Sequence, residues 1–217
     1  MQEAYKIDRT TETSHWTRAI DKEMQNVRIA FERLENITED QMRGGKIKPG
    51  YTYCCTHMVF DIKMDGLFTR KARLVADRHK TKPPASITYS SVVSRDNVRI
   101  ALTLASLNDF EVSSCDIGNA YLNADCREKL WTLAGSEFGS ERGSVMIIAR
   151  ALYRLKSSEA AWRSKLAETM STLGYRSTQA DPDVWLKRAY KGNGEAYYQH
   201  NKYTVENMIG SMLLLEI

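Results

Sequence analysis

Residues 57–64 read His-Met-Val-Phe-Asp-Ile-Lys-Met, with Met58, Phe60, Ile62 and Met64 at every second position. A two-residue period puts these four on one face of a half-buried strand. Asp65-Gly66 follows at once, the strongest short-range signal for a hairpin. The returning strand is predicted over about Thr69–Ala76 and carries Arg70, Lys71 and Arg73. A basic two-stranded flap is the result.

Elsewhere the period is helical. Trp16, Ile20, Met24 and Val27 share one face of a helix that Ser14 can cap. Residues 35–50 are polar and end in Lys-Pro-Gly, which predicts a loop. Ser94 with Asn97 can open a second helix, with Val98, Ala101, Leu102, Ala105 and Leu107 as its apolar stripe and Asn108-Asp109 as its end. Phe110, Val112 and Ser114 then alternate toward Asp116 and place it at the C-terminal end of a strand. Short strands are expected near Lys129–Leu133 and Ser144–Ile148. A long helix capped near Ser157 presents Trp162, Leu166, Met170 and Leu173, and Gly174 stops it. Asp181–Leu186 reads as a turn and a strand, with Pro182 fixing the bend. This order predicts an α+β fold, a sheet backed by helices.

The chain has 217 residues, enough for one domain or two small lobes. No apolar run approaches the roughly 20 residues of a membrane span, and no secretory signal opens the chain. Cys54, Cys55, Cys115 and Cys126 fit no metal spacing and no disulfide framework, so they are read as reduced, in an intracellular protein. The net charge of +4 suits a polyanionic partner without requiring one.

At residues 113–124 the chain reads SSCDIGNAYLNA. A carboxylate at a strand end can hold Mg²⁺ and leave room for phosphates. Asp116 followed by Ile-Gly-Asn is equally good turn chemistry. Tyr121 can sit under a sugar, or be core with its hydroxyl satisfied. Lys63, Arg70, Lys71 and Arg73 can grip phosphates through charge-assisted hydrogen bonds, or form a solvated strand face.

Taken in order, HWTRAIDKEM, GYTYCCTHMVFDIKMDG, RKARLVA, ITYSSVVSRDNVRIALTLASLNDFEV, CDIGNAYLNA, ALYRLKSSEAAW and LGYRSTQADPDVW resemble the reverse transcriptase domain of Ty1/copia-type retrotransposons. The resemblance runs over residues 14–198 and leaves 1–13 as a disordered tail and 199–217 as a divergent one. It implies the fingers and palm of a right-hand polymerase, incomplete at the C-terminus. It implies RNA-directed DNA synthesis from deoxynucleoside triphosphates (dNTPs) on an RNA or DNA template-primer, with Mg²⁺ or Mn²⁺. It also implies a longer polyprotein with integrase and RNase H parts, working in cytoplasmic particles and delivering DNA to the nucleus. Carried over by motif, Asp116 is the first metal-binding carboxylate and Ile117 supplies a backbone carbonyl. Tyr121 takes the sugar-gate position. Lys63 and Arg73 contact the incoming triphosphate. Arg70, Lys71 and Lys156 face nucleic acid.

The sequence departs from that family in several places. The family's Tyr-x-Asp-Asp turn is missing, and no Asp-Asp pair occurs anywhere in the chain. Residues 199–217 do not read as apolar strand, acidic turn and apolar strand, and Glu206 and Glu216 are their only acids. Arg154 stands where the family usually has glycine, and Asp77-Arg78 replaces a small, glycine-rich pair. The expectation is a polymerase domain truncated before its second acidic motif and inactive as it stands. Two other readings stay open: a non-catalytic nucleic-acid-binding remnant, and an interaction protein with no nucleic-acid role.

Overall fold

The computed structural model describes residues 1–77, 93–107, 111–190, 196–206 and 209–216; from residue 188 onward the description is of backbone pairing. The sequence DRHKTKPPASITYSS at 77–91 predicts a Pro-containing loop, of which 78–91 lie outside the described residues, as do the helix end at Asn108-Asp109 and Phe110. The chain divides into two compact units: residues 1–88 with 121–161, and residues 89–120 with 162–217.

The first unit opens with α1 (Gln2–Thr10) and α2 (His15–Val27). Residues expected as a disordered tail are therefore helical. The physical reason is Asp8, whose carboxylate accepts the Trp16 N–H at 3.1 Å and the Thr17 N–H at 2.8 Å. It caps α2 in place of Ser14, whose side chain makes no capping bond. The apolar face of α2 behaves as the spacing predicts, with Trp16, Ile20 and Val27 buried.

β1 (Phe31–Arg33), α3 (Glu39–Arg43) and β2 (Thr52–Tyr53) follow. The polar stretch expected to be a loop holds the short helix α3. Its Thr38–Gln41 capping box is complete, a four-residue signature that polarity alone conceals. β3 (Thr56–Ile62) and β4 (Arg70–Ala76) form the expected antiparallel hairpin, with Ile62 opposite Arg70 and Phe60 opposite Ala72. One face takes Met58, Phe60, Ala72 and Leu74 toward the core that α2 shares. The Trp16 and Phe60 rings meet edge to face, 5.3 Å apart. The loop is longer than a two-residue turn: Lys63 N–H still donates to Thr69 O at 2.9 Å. Asp65 Oδ1 accepts the N–H groups of Leu67 and Thr69.

β6 (Leu130–Leu133) and β7 (Val145–Ile148) complete a sheet of order β1-β7-β6-β2. Its strands pair antiparallel except for β2 against β6. Glu128, buried, accepts both the N–H and the hydroxyl of Ser157, which fixes the chain just before α5 (Ser158–Thr172).

The second unit contains α4 (Arg95–Leu107), β5 (Glu111–Ile117), the later part of α5, β8 (Tyr175–Ser177), β9 (Val184–Tyr190), β10 (Ala196–Glu206) and β11 (Ile209–Glu216). The sheet order is β5-β11-β10-β9-β8, antiparallel throughout. Ser94 Oγ accepts the Asn97 N–H at 3.1 Å, as the spacing predicts for a helix start. The predicted α4 stripe is buried at Ala101 and Ala105, whereas Leu102 and Leu107 are exposed. On α5, Trp162, Leu166 and Met170 are buried and Leu173 is exposed. Gly174 ends the helix at φ +87°, the left-handed region that glycine enters freely.

Candidate functional site

Asp116 is the sixth residue of β5, exposed, and Ile117 is the last, half-buried. Along the ladder, Ser211 of β11 sits opposite Asp116 and Gly210 opposite Ile117. The end of β10 and the start of β11 therefore lie at the same end of the sheet as Asp116. Glu206 closes β10 opposite Ile209. So the segment expected as a divergent tail runs as two strands beside the candidate aspartate. Its residues hid this. In β10, Tyr198, His200, Lys202 and Thr204 alternate with Tyr197, Gln199, Asn201 and Tyr203, and neither set is apolar. Pairing to neighbours on both sides, not a hydrophobic period, holds the strand.

A pair of Mg²⁺ ions about 4 Å apart needs closely set carboxylates, because Mg²⁺ surrenders its water reluctantly. The described residues offer the Asp116 carboxylate and the Ile117 carbonyl. Among the described residues, no group of three or more His, Cys, Asp and Glu is placed to hold a metal ion. That donor set does not fit a two-ion centre. Asp181 and Asp183 are committed elsewhere, as turn residues. Asp181 accepts from Ser94 N–H and Asn97 Nδ2. Asp183, fully buried, accepts the Arg163 guanidinium at 2.9 Å.

The basic candidates belong to the first unit. Lys71 and Arg73 share one face of the hairpin with Asp61 and Val59, their register partners. Arg70 points to the opposite face, its guanidinium 6.0 Å from the Trp16 ring. The strand period thus separates residues that are adjacent in sequence. Burial lowers the pKa of Lys71, and repulsion from Arg73 and Lys63 lowers it further. Glu23 on α2 accepts the Leu74 N–H at 2.8 Å. Burial raises its pKa, against the Leu74 hydrogen bond and the charges of Arg73 and Lys71. Lys156 is half-buried on the segment leading to α5.

Tyr121 lies in a single 3-10 turn, Ala120–Asn123, and is 4% exposed. Burial pushes its hydroxyl up to about 12, and Glu159 and Tyr153 add to the effect. Its ring meets that of Tyr153 edge to face at 5.6 Å. Tyr153 also bridges to Val75 of β4, and its carbonyl accepts the Ala76 N–H at 3.0 Å. The Arg73 guanidinium sits 5.9 Å from the Tyr153 ring. Tyr153 therefore links Arg73 and Tyr121, which are distant in sequence. The sequence gives Tyr153 no signal of its own beyond its place in ALYRLKSSEAAW.

Comparison with known proteins gives the class. Residues 50–197, more than half of the chain, match the family described as reverse transcriptase (RNA-dependent DNA polymerase). The chain belongs to that family, in its Ty1/copia retrotransposon branch. It is similar to the retrovirus-related Pol polyprotein from transposon TNT 1-94 of Nicotiana tabacum. That match is 32% identical over 142 residues, 62% of this chain and 11% of the relative. The Pol polyproteins from transposons RE1 and RE2 of Arabidopsis thaliana are 28% and 26% identical over 56% and 64% of this chain. The chain spans about a tenth of the length of these relatives.

Proposed function

We propose that this chain is the fingers and palm portion of a retrotransposon reverse transcriptase and does not copy nucleic acid by itself. In this reading the β3–β4 hairpin belongs to the fingers and the five-stranded sheet to the palm. The ancestral activity is template-directed addition of dNTPs within a Pol polyprotein. Asp116 would be the first metal-binding carboxylate, with the Ile117 carbonyl beside it. Lys63 and Arg73 would meet triphosphate, Tyr121 would stand at the sugar, and Arg70, Lys71 and Lys156 would face nucleic acid.

One observation carries the claim of inactivity. The strand ends brought to the Asp116 end of the sheet are Glu206 of β10 and Ile209 of β11, and the sequence from Thr204 to Ser211 contains no Asp-Asp pair. One aspartate cannot hold two Mg²⁺ ions against their hydration. Titration with Mn²⁺, read by electron paramagnetic resonance, tests this. The expected result is at most one weakly held ion, lost in Asp116→Ala. Two tightly held ions in the unmodified chain would refute it.

A second reading keeps binding without chemistry. The gathering of Lys63, Lys71 and Arg73, with Lys71 depressed in pKa partly by its like-charged neighbours, favours it. Phosphate groups would relieve that repulsion, and binding would weaken with salt as counterions are released.

A further inference from the structure

β5 is an outer strand of its sheet. One edge pairs with β11, and among the described residues no strand pairs with the other. Alternate residues of such a strand turn their backbone N–H and C=O outward, and these groups accept a further strand. Natural edges are blunted by shortness, by lysine or proline, or by a covering element. β5 has seven residues, Glu-Val-Ser-Ser-Cys-Asp-Ile, with no lysine and no proline. Residues 112–116 are exposed, so neither face is covered there. The strand at the far side of the sheet, β8, has only three residues.

The side chains of β5 set what can pair with this edge. Ser114 and Asp116 share one face, and Ser113, Cys115 and Ile117 share the other. Two identical strands pair antiparallel about a two-fold axis, and residues directly opposite share a face. The axis therefore passes through a residue of β5. Centred on Cys115, it sets the Asp116 carboxylate of each copy opposite the Ser114 hydroxyl of the other, twice over. A hydroxyl donating to a carboxylate is among the stronger hydrogen bonds, and no two carboxylates meet in that register. Centred on Ser114, it would set Asp116 against Val112 and leave the carboxylate without a donor.

We propose that two copies of this chain pair through the free edges of β5, antiparallel and centred on Cys115, so that one sheet runs across both. The contact is isologous and closes at two copies. Joining β5 of one copy to β8 of the next would instead build an open polymer, and the three-residue β8 offers a short ladder for it. Main-chain hydrogen bonds supply the attraction, as in other cases of strand addition to a sheet edge, and the Ser114–Asp116 pairs fix the register. The proposal goes beyond the function proposed above and does not rest on it. Asp116 serves here as a hydrogen-bond acceptor, with or without a metal ion.

Sedimentation velocity of the full chain over a range of concentrations tests it, together with a short bismaleimide cross-linker. The mass is expected to rise with concentration from 24.8 kDa toward twice that value. Cys115 is exposed and lies on the proposed axis, so a cross-linked dimer should form. Cys115→Ser should lose the cross-link and still dimerise. Ser114→Asp sets carboxylate against carboxylate and is expected to weaken dimerisation about 10-fold or more. Adding Asp116→Ser to it returns one carboxylate and one hydroxyl to each pair and should recover most of the loss. Circular dichroism checks that each variant is folded. A chain that stays at 24.8 kDa at every concentration overturns the proposal. So does a dimer that Ser114→Asp leaves intact, a folded double variant that recovers nothing, or a mass that climbs past two copies. A cross-link that persists in Cys115→Ser places the contact elsewhere and overturns it as well.

Discussion

Arg154 has φ +70° and an exposed side chain. That backbone region costs an L-residue roughly 1–2 kcal/mol relative to the right-handed one, and glycine enters it freely. The resemblance drawn from the sequence implies glycine at this position, and a left-handed backbone is one that glycine suits. Replacing Arg154 with glycine is expected to stabilise the chain by about 1 kcal/mol, after allowance for the extra freedom of glycine when unfolded. Urea unfolding of Arg154→Gly measures it, and a midpoint that falls contradicts the strain argument. Tyr153, one residue earlier, shows the opposite case. Its contacts to Arg73, Val75 and Tyr121 join distant segments, and no local pattern encodes such a meeting.

Among the elements, the hairpin was the most legible. Its two-residue period fixes which face is buried, and Met58 and Phe60 obey it. Its packing partner was not legible, because the Trp16–Phe60 contact is long-range. Trp16→Ala is expected to cost about 3–5 kcal/mol. A double-mutant cycle with Phe60→Ala should return a coupling of about 1 kcal/mol for the ring pair. Additive losses would show that the rings contribute burial alone.

The first helix was missed because its anchor is a side chain acting eight residues on. Burial pushes the Asp8 carboxyl up, yet hydrogen bonds from Thr17, Trp16 and Thr13 outweigh it and leave the pKa below its ordinary 3.8. A lowered folded-state value means that the contribution is complete above the ordinary value and is lost as pH falls through the folded one. Hydrogen exchange should therefore show α1 opening before the hairpin as acid is added. Asp8→Asn should open it at neutral pH. Equal protection of α1 in that variant would contradict the capping role.

At the scale of the whole molecule, the mixed α/β character and the family were both readable, since ordered motifs cover most of the chain. The β10–β11 pairing beside Asp116 was not readable, because β10 lacks a hydrophobic period and the apolar stretch over residues 208–215 does not name its partner strand. Their arrangement sharpens the functional question. The sheet sets β11, paired to β10, beside the strand of Asp116, while the sequence withholds the acidic pair.

Primer extension on poly(rA)/oligo(dT) with dTTP and Mg²⁺ or Mn²⁺ tests this account most directly. The unmodified chain and Asp116→Ala are expected to be indistinguishable from a reaction without protein. Extension by the unmodified chain that Asp116→Ala abolishes would show that the catalytic centre is complete, and the account would be wrong.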